Sequence, residues 1–118
     1  MELLLHLLLG PLMLAVAFLM KKYPPKKVNA IYGYRTPRSM KNQNTWEVAN
    51  QYSTALMVKA SLATILFQVF CIAGFEFQTA YISAVIFLIV ALVSVIPFTE
   101  MYLKKLFDKE GNWKDPYV

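Results

Sequence analysis

Charge is scarce in this chain of 118 residues: only 16% are Asp, Glu, Lys or Arg, against about 25% in an ordinary soluble domain. Acidic residues number seven, and there is one histidine, His6, and one cysteine, Cys71. A single cysteine excludes a disulfide scaffold. The lack of charge, set beside 58% hydrophobic residues, excludes a disordered chain. A soluble fold this small buries a limited fraction of its surface and would leave much of that apolar material in water. A mean hydropathy of +0.45 therefore points to an integral membrane protein, and the order of the residues supports it.

Leu3–Met20, Ala60–Phe75 and Phe77–Thr99 carry no charged residue. A helix rising 1.5 Å per residue needs about 20 residues to cross a hydrocarbon core of roughly 30 Å. The first and third runs are that long. The second becomes so if it starts near Ala55, which places Lys59 inside the span close to one end. The expected fold is an all-α integral membrane protein, an antiparallel bundle of three transmembrane helices with an ordered cytoplasmic loop. Its single domain covers residues 1–118: spans at about 3–20, 45–74 and 78–104, a loop at 21–44 and a tail at 105–118. A cleaved signal peptide fits the first run poorly, because Glu2 stands where a basic region belongs and Lys21 and Lys22 follow the apolar stretch.

Topology follows from the positive-inside rule. All 12 Lys and Arg fall in the loop, in the tail or at Lys59, whereas the N-terminus and the Phe75–Thr79 turn hold only Glu2 and Glu76. The N-terminus is expected outside, with loop and C-terminus in the cytoplasm. The net charge of +5 then needs no nucleic acid. It sets topology and attracts anionic headgroups, at about 1 kcal/mol per basic residue near the surface.

Within lipid, helices pack through small and weakly polar residues. Each span has such a stripe: His6, Gly10, Met13 and Ala17; Ser61, Thr64, Gln68 and Cys71; Ala80, Ala84, Phe87, Ala91 and Ser94. Gly10-Pro11 and Pro97 are expected to kink their helices. Asn44 with Glu47 reads as a capping box for the second span, and Trp46 and Tyr52 would then lie at headgroup depth. His6 makes a surface i,i+4 pair with Glu2. Two readings stand for Lys59: it snorkels, or Glu100 pairs with it or with a loop arginine.

The distinctive chemistry lies in Tyr23–Asn50. Pro24-Pro25 stops the first helix, Gly33 marks a tight backbone position, and three tyrosines with Trp46 argue for an ordered loop. Arg35 and Arg38, with Thr36, Ser39, Asn29, Asn42 and Asn50, form a donor-rich surface suited to phosphate or carboxylate. A structural loop resting on anionic headgroups fits the same residues.

The run Pro25-x-x-x-Asn29-x-x-Tyr32-Gly33-Tyr34-Arg35-Thr36-Pro37-Arg38-Ser39-Met40, followed by Trp46-Glu47-x-Ala49-Asn50, resembles the SdpI/YfhL family of small bacterial membrane proteins. The resemblance implies a multi-pass protein of the bacterial cytoplasmic membrane, whose best-known members give immunity to a secreted peptide toxin. The founding member looks like a six-span chain with this unit as its C-terminal half, and it holds a transcriptional repressor at the membrane. The present chain is closer to the short single-unit members. The motif positions that would form the binding loop are Asn29, Tyr32, Gly33, Tyr34, Arg35, Thr36, Arg38, Ser39, Trp46 and Asn50.

Three function classes follow. The first is a binding protein of the immunity type, with a peptide toxin or a cytoplasmic regulator as partner. The second is a lipid-handling protein or enzyme using Arg35 and Arg38. Catalysis lacks its usual constellation: His6 lies at the end opposite the loop, Cys71 is isolated in an apolar span, and Ser39 and Ser53 have no histidine beside them. No catalytic residue, metal or cofactor is expected. The third is a subunit of a larger membrane complex. A homodimer suits the six-span relatives, and Trp113 and Tyr117 of the tail would touch the membrane surface.

Overall fold

The computed structural model describes residues 1–114 and is helical throughout its long elements: α1 (Glu2–Leu7), α2 (Gly10–Lys22), α3 (Gln43–Gly74) and α4 (Phe77–Leu106). Three spans are long and apolar enough to cross a membrane: Glu2–Lys22, which joins α1 to α2, α3 and α4. The molecule is 53 Å long.

The spans are antiparallel. Gly10 of α2 meets Gln68 of α3, and the far end of α2 meets the first turns of α3. Along α3 and α4, Tyr52 stacks on Tyr102 at 4.1 Å and Phe67 on Phe87 at 4.5 Å. One end therefore carries the loop and the tail (the loop end). The other carries Met1 and the Phe75–Glu76 connection (the hairpin end).

The buried face of α3 is polar and small: Ser53, Thr54, Ser61, Thr64, Gln68 and Cys71. Against it lie Ala17 of α2 and Ala80, Ala84, Leu88 and Val95 of α4. Outward positions are large and apolar, with Leu66, Phe70, Val90 and Met101 all more than 60% exposed. A soluble core has the reverse arrangement. Lipid removes the hydrophobic drive between helices and leaves close packing and hydrogen bonds to hold them together.

Gly10-Pro11 does more than kink the first span. The chain leaves the helix at Leu8–Leu9 and restarts with Pro11 in the first turn of α2, where its missing N–H is tolerated. Gln68 enters the gap. Its Oε1 accepts from the Gly10 N–H at 3.0 Å and its Nε2 donates to the His6 carbonyl at 2.8 Å. The amide thus replaces the i→i−4 bond that would run from Gly10 to His6. Only glycine fits there, since a Cβ on Gly10 would lie 2.5 Å from Gln68 Oε1 and 2.7 Å from Ile65 Cγ1.

His6 is not a surface residue paired with Glu2. It is 5% exposed, with Phe77 and Tyr81 edge-on to its ring and Nδ1 3.0 Å from Gln68 Nε2. The helix break turns it inward. By contrast α4 runs through Pro97 without interruption.

Beyond α4, Phe107 bridges to Trp113 around a tight turn in which Gly111 has φ +86°. Asn42 Nδ2 donates to the Gly111 carbonyl at 2.7 Å, which docks the tail on the start of α3. Trp113 is half-exposed and packs on the buried Phe107, and Tyr117 lies outside the described residues.

Candidate functional site

The α2–α3 loop is built by its own side chains. Asn29 Oδ1 accepts from the N–H groups of Ile31 and Tyr32, and the Tyr32 hydroxyl donates to the Tyr23 carbonyl at 2.8 Å. Gly33 follows at φ +107°, where an L side chain is strained. Space is closed too, because a Cβ would stand 2.6 Å from both Asn50 Oδ1 and Pro25 Cγ. The tight approach lets Asn50 Oδ1 accept from the Tyr34 N–H at 2.6 Å, while its Nδ2 donates to the Trp46 carbonyl at 3.0 Å.

The Thr36–Ser39 turn closes on itself. Ser39 Oγ accepts from the Thr36 N–H at 2.8 Å, Thr36 Oγ1 accepts from the Ser39 N–H at 3.1 Å, and Ser39 is fully buried. The turn then meets the helix cap. Asn42, not Asn44, is the N-cap: Asn42 Oδ1 accepts from Thr45 N–H at 3.0 Å and Thr45 Oγ1 from Asn42 N–H at 3.1 Å. Glu47 instead accepts from Gln43 Nε2. The Asn42…Thr45 spacing was visible in the sequence, but local pattern did not rank it above Asn44…Glu47.

Trp46 is fully buried, so its ring faces the loop and not the lipid. Its indole Nε1 donates to the Pro25 carbonyl at 2.7 Å, tying the exit of the first span to the start of the second. Thr45 is thus a member of the loop framework that sequence reasoning missed, while Pro25 and Asn42, read there as a helix stop and a surface donor, act in the framework too.

Glu100 of α4 is where the loop meets the bundle. The Tyr34 hydroxyl donates to Glu100 Oε1 at 2.7 Å and Arg38 Nε to Glu100 Oε2 at 3.2 Å. Burial, and then the Glu100 carboxylate beside it, push the Tyr34 phenol well above its ordinary value. Lys59 is exposed, and the partner of Glu100 is the loop arginine. Arg35 is exposed and donates from its guanidinium to the Ala30 carbonyl.

The structure therefore gathers all ten motif positions into one network. Asn29, Tyr32, Gly33, Tyr34, Thr36, Ser39, Trp46 and Asn50 shape and hold the loop, Arg38 locks it to α4, and Arg35 braces it from outside. Chemically this is a loop held by its own hydrogen bonds, with one nitrogen each of Arg35 and Arg38 engaged. One concavity adjoins it, and another lies at the opposite end of the bundle. An open groove of about 470 Å³ lies between the end of α2 and the start of α3. At the hairpin end a cleft of about 140 Å³ includes Glu2, His6, Phe75 and Phe77.

Comparison with known proteins gives consistent results. The SdpI/YfhL protein family matches residues 26–99, which takes in the loop, α3 and most of α4. A Bacillus subtilis (strain 168) protein described as "Uncharacterized protein YfhL" is 38% identical over 106 residues, covering 87% of this chain and 89% of that protein. No solved structure matches the chain.

Proposed function

The chain belongs to the SdpI/YfhL family, and from that premise we propose that it is a bacterial membrane protein of the immunity type, protecting its host from a secreted membrane-active peptide by binding. The observation that carries the binding reading is the loop network. It ties the loop to carbonyls, Asn50 and Glu100, which supports reading the motif as a scaffold for the three spans rather than as a reaction centre.

The distribution of basic residues favours the loop end in the cytoplasm and the hairpin end outside. A peptide arriving from outside then meets the hairpin end first. There Glu2 and Glu76 are the charged side chains, and the cleft walled by His6 and Phe77 opens between α1, α3 and α4. Acidic character suits a cationic amphipathic peptide.

The test is expression in a bacterium killed by such peptides. Survival should rise with the intact chain and with the Arg35→Gln variant, which changes an exposed arginine, and should fall with Phe77→Asp in the cleft. Unchanged killing by every peptide of this class would overturn the immunity reading while leaving the fold as described.

A further inference from the structure

In the loop itself one nitrogen of Arg35 is engaged on the Ala30 carbonyl and one of Arg38 on Glu100. Two cations beside them are free. Lys21 and Lys26 stand on the open groove between α2 and α3, and neither is in an ion pair among the described residues. Lys22, next in sequence, is directed over the Tyr23 ring at 5.5 Å and does not line the groove.

The groove changes character along its length. At its polar end are Lys21, Lys26 and Glu47, and Glu47 is held by Gln43. At its inner end are Met20 and Ala55, both inside spans long enough to cross a membrane. From Glu47 to Ala55 along α3 the axial rise is about 12 Å. That distance joins headgroup level to the first carbons of an acyl chain. The small Ala55 leaves room at the inner end, and Pro24 and Pro25 line the groove where the chain leaves α2.

We propose that this groove binds an anionic phospholipid of the surrounding bilayer, its phosphate between Lys21 and Lys26 and its glycerol and upper acyl chain along Met20 and Ala55. Two lysines against one carboxylate leave the polar end net positive, which selects an anionic headgroup. The proposal depends neither on the immunity reading nor on which end faces outward.

The experiment is native mass spectrometry of the full chain in neutral detergent, titrated with phosphatidylglycerol, phosphatidylcholine, diacylglycerol and inorganic phosphate. Phosphatidylglycerol should bind most tightly, and inorganic phosphate should not displace it. Lys21→Gln with Lys26→Gln should weaken binding about 25-fold, roughly fivefold per lysine at about 1 kcal/mol each. Ala55→Phe, which fills the groove without changing charge, should weaken it at least about tenfold, and the exposed pair Lys104→Gln/Lys105→Gln by less than about twofold. Circular dichroism confirms helicity for each variant. Equal losses from the two lysine pairs, equal binding of diacylglycerol, or displacement by inorganic phosphate would each overturn the proposal.

Discussion

Gln68 offers the sharpest test of how the spans are held together. Its amide makes three contacts across the break in the first span: Gly10 N–H at 3.0 Å, the His6 carbonyl at 2.8 Å and His6 Nδ1 at 3.0 Å. Hydrogen bonds between membrane helices average about 0.6 kcal/mol, so the three together supply about 2 kcal/mol. Gln68→Leu keeps nearly the same volume but leaves the buried Gly10 N–H unpaired, which raises the expected loss to about 2–4 kcal/mol. The assay is reversible unfolding in mixed micelles, followed by far-ultraviolet circular dichroism.

Gly10→Ala probes the same contact from the other side. Its new Cβ would meet Gln68 Oε1 at 2.5 Å and the Ile65 backbone nitrogen at 3.1 Å, and such overpacking costs about 1–3 kcal/mol. Combining it with Gln68→Ala relieves part of the clash, so the double variant should be more stable than the sum of the two losses predicts. Additive losses, with Gln68→Leu within about 0.5 kcal/mol of the parent chain, would refute the bridging role.

Four other outcomes can be checked. Gly33→Ala should loosen the loop, because φ +107° and a 2.6 Å approach to Asn50 leave no room for a Cβ; faster proteolysis between α2 and α3 would report it. The Tyr34 phenol has a raised folded-state value, so the stability it contributes is full below about pH 10, its ordinary value, and is lost as pH rises through the folded one. Above about pH 10 the parent chain should therefore lose stability relative to Tyr34→Phe, and parallel curves would contradict the part-buried Tyr34–Glu100 contact. Arg38→Gln should cost about 1–3 kcal/mol, since the pair is only about a quarter exposed and Glu100 loses its cation, and a double-mutant cycle with Glu100→Gln measures the coupling. Lys59→Met should leave the yield of folded protein in detergent unchanged, because Lys59 is exposed and Glu100 is bonded to Arg38.

Much of the architecture was legible before any coordinates. Three charge-free runs marked the spans, because crossing hydrocarbon demands length and apolarity that few other structures need. The stripe of Ser61, Thr64, Gln68 and Cys71 was legible as the packing face of α3, and all four are buried there. The loop's composition announced order, and Gly33 announced a tight position, which its positive φ bears out. Periodicity and conformational preference are local properties, so sequence carries them directly.

Misreadings came where a residue's role depends on something distant. Trp46 has the composition of a headgroup anchor, yet it is buried because the Pro25 carbonyl, 21 residues earlier, returns to its indole. His6 pairs at helical spacing with Glu2 on paper, yet the break at Leu8–Leu9 turns it towards Gln68, 62 residues away. Asn44 and Glu47 form a capping box in pattern, but Asn42 and Thr45 also receive the tail at Gly111 and the Ser39 carbonyl, which decides the cap.

Sequence alone thus determined that this protein is helical, has three spans fit for a bilayer, and concentrates its unusual chemistry in the segment before α3. Tertiary structure decided which partners that chemistry finds. It assigned Glu100 to Tyr34 and Arg38, tied the motif together by hydrogen bonds, and left Lys21 and Lys26 outside any ion pair among the described residues, beside an open groove. The physical reason is that a hydrogen-bond donor in a low-dielectric setting must find an acceptor, and which one it finds depends on the three-dimensional path of the chain. Hydrophobic runs are counted along a sequence, whereas partners are chosen across a fold.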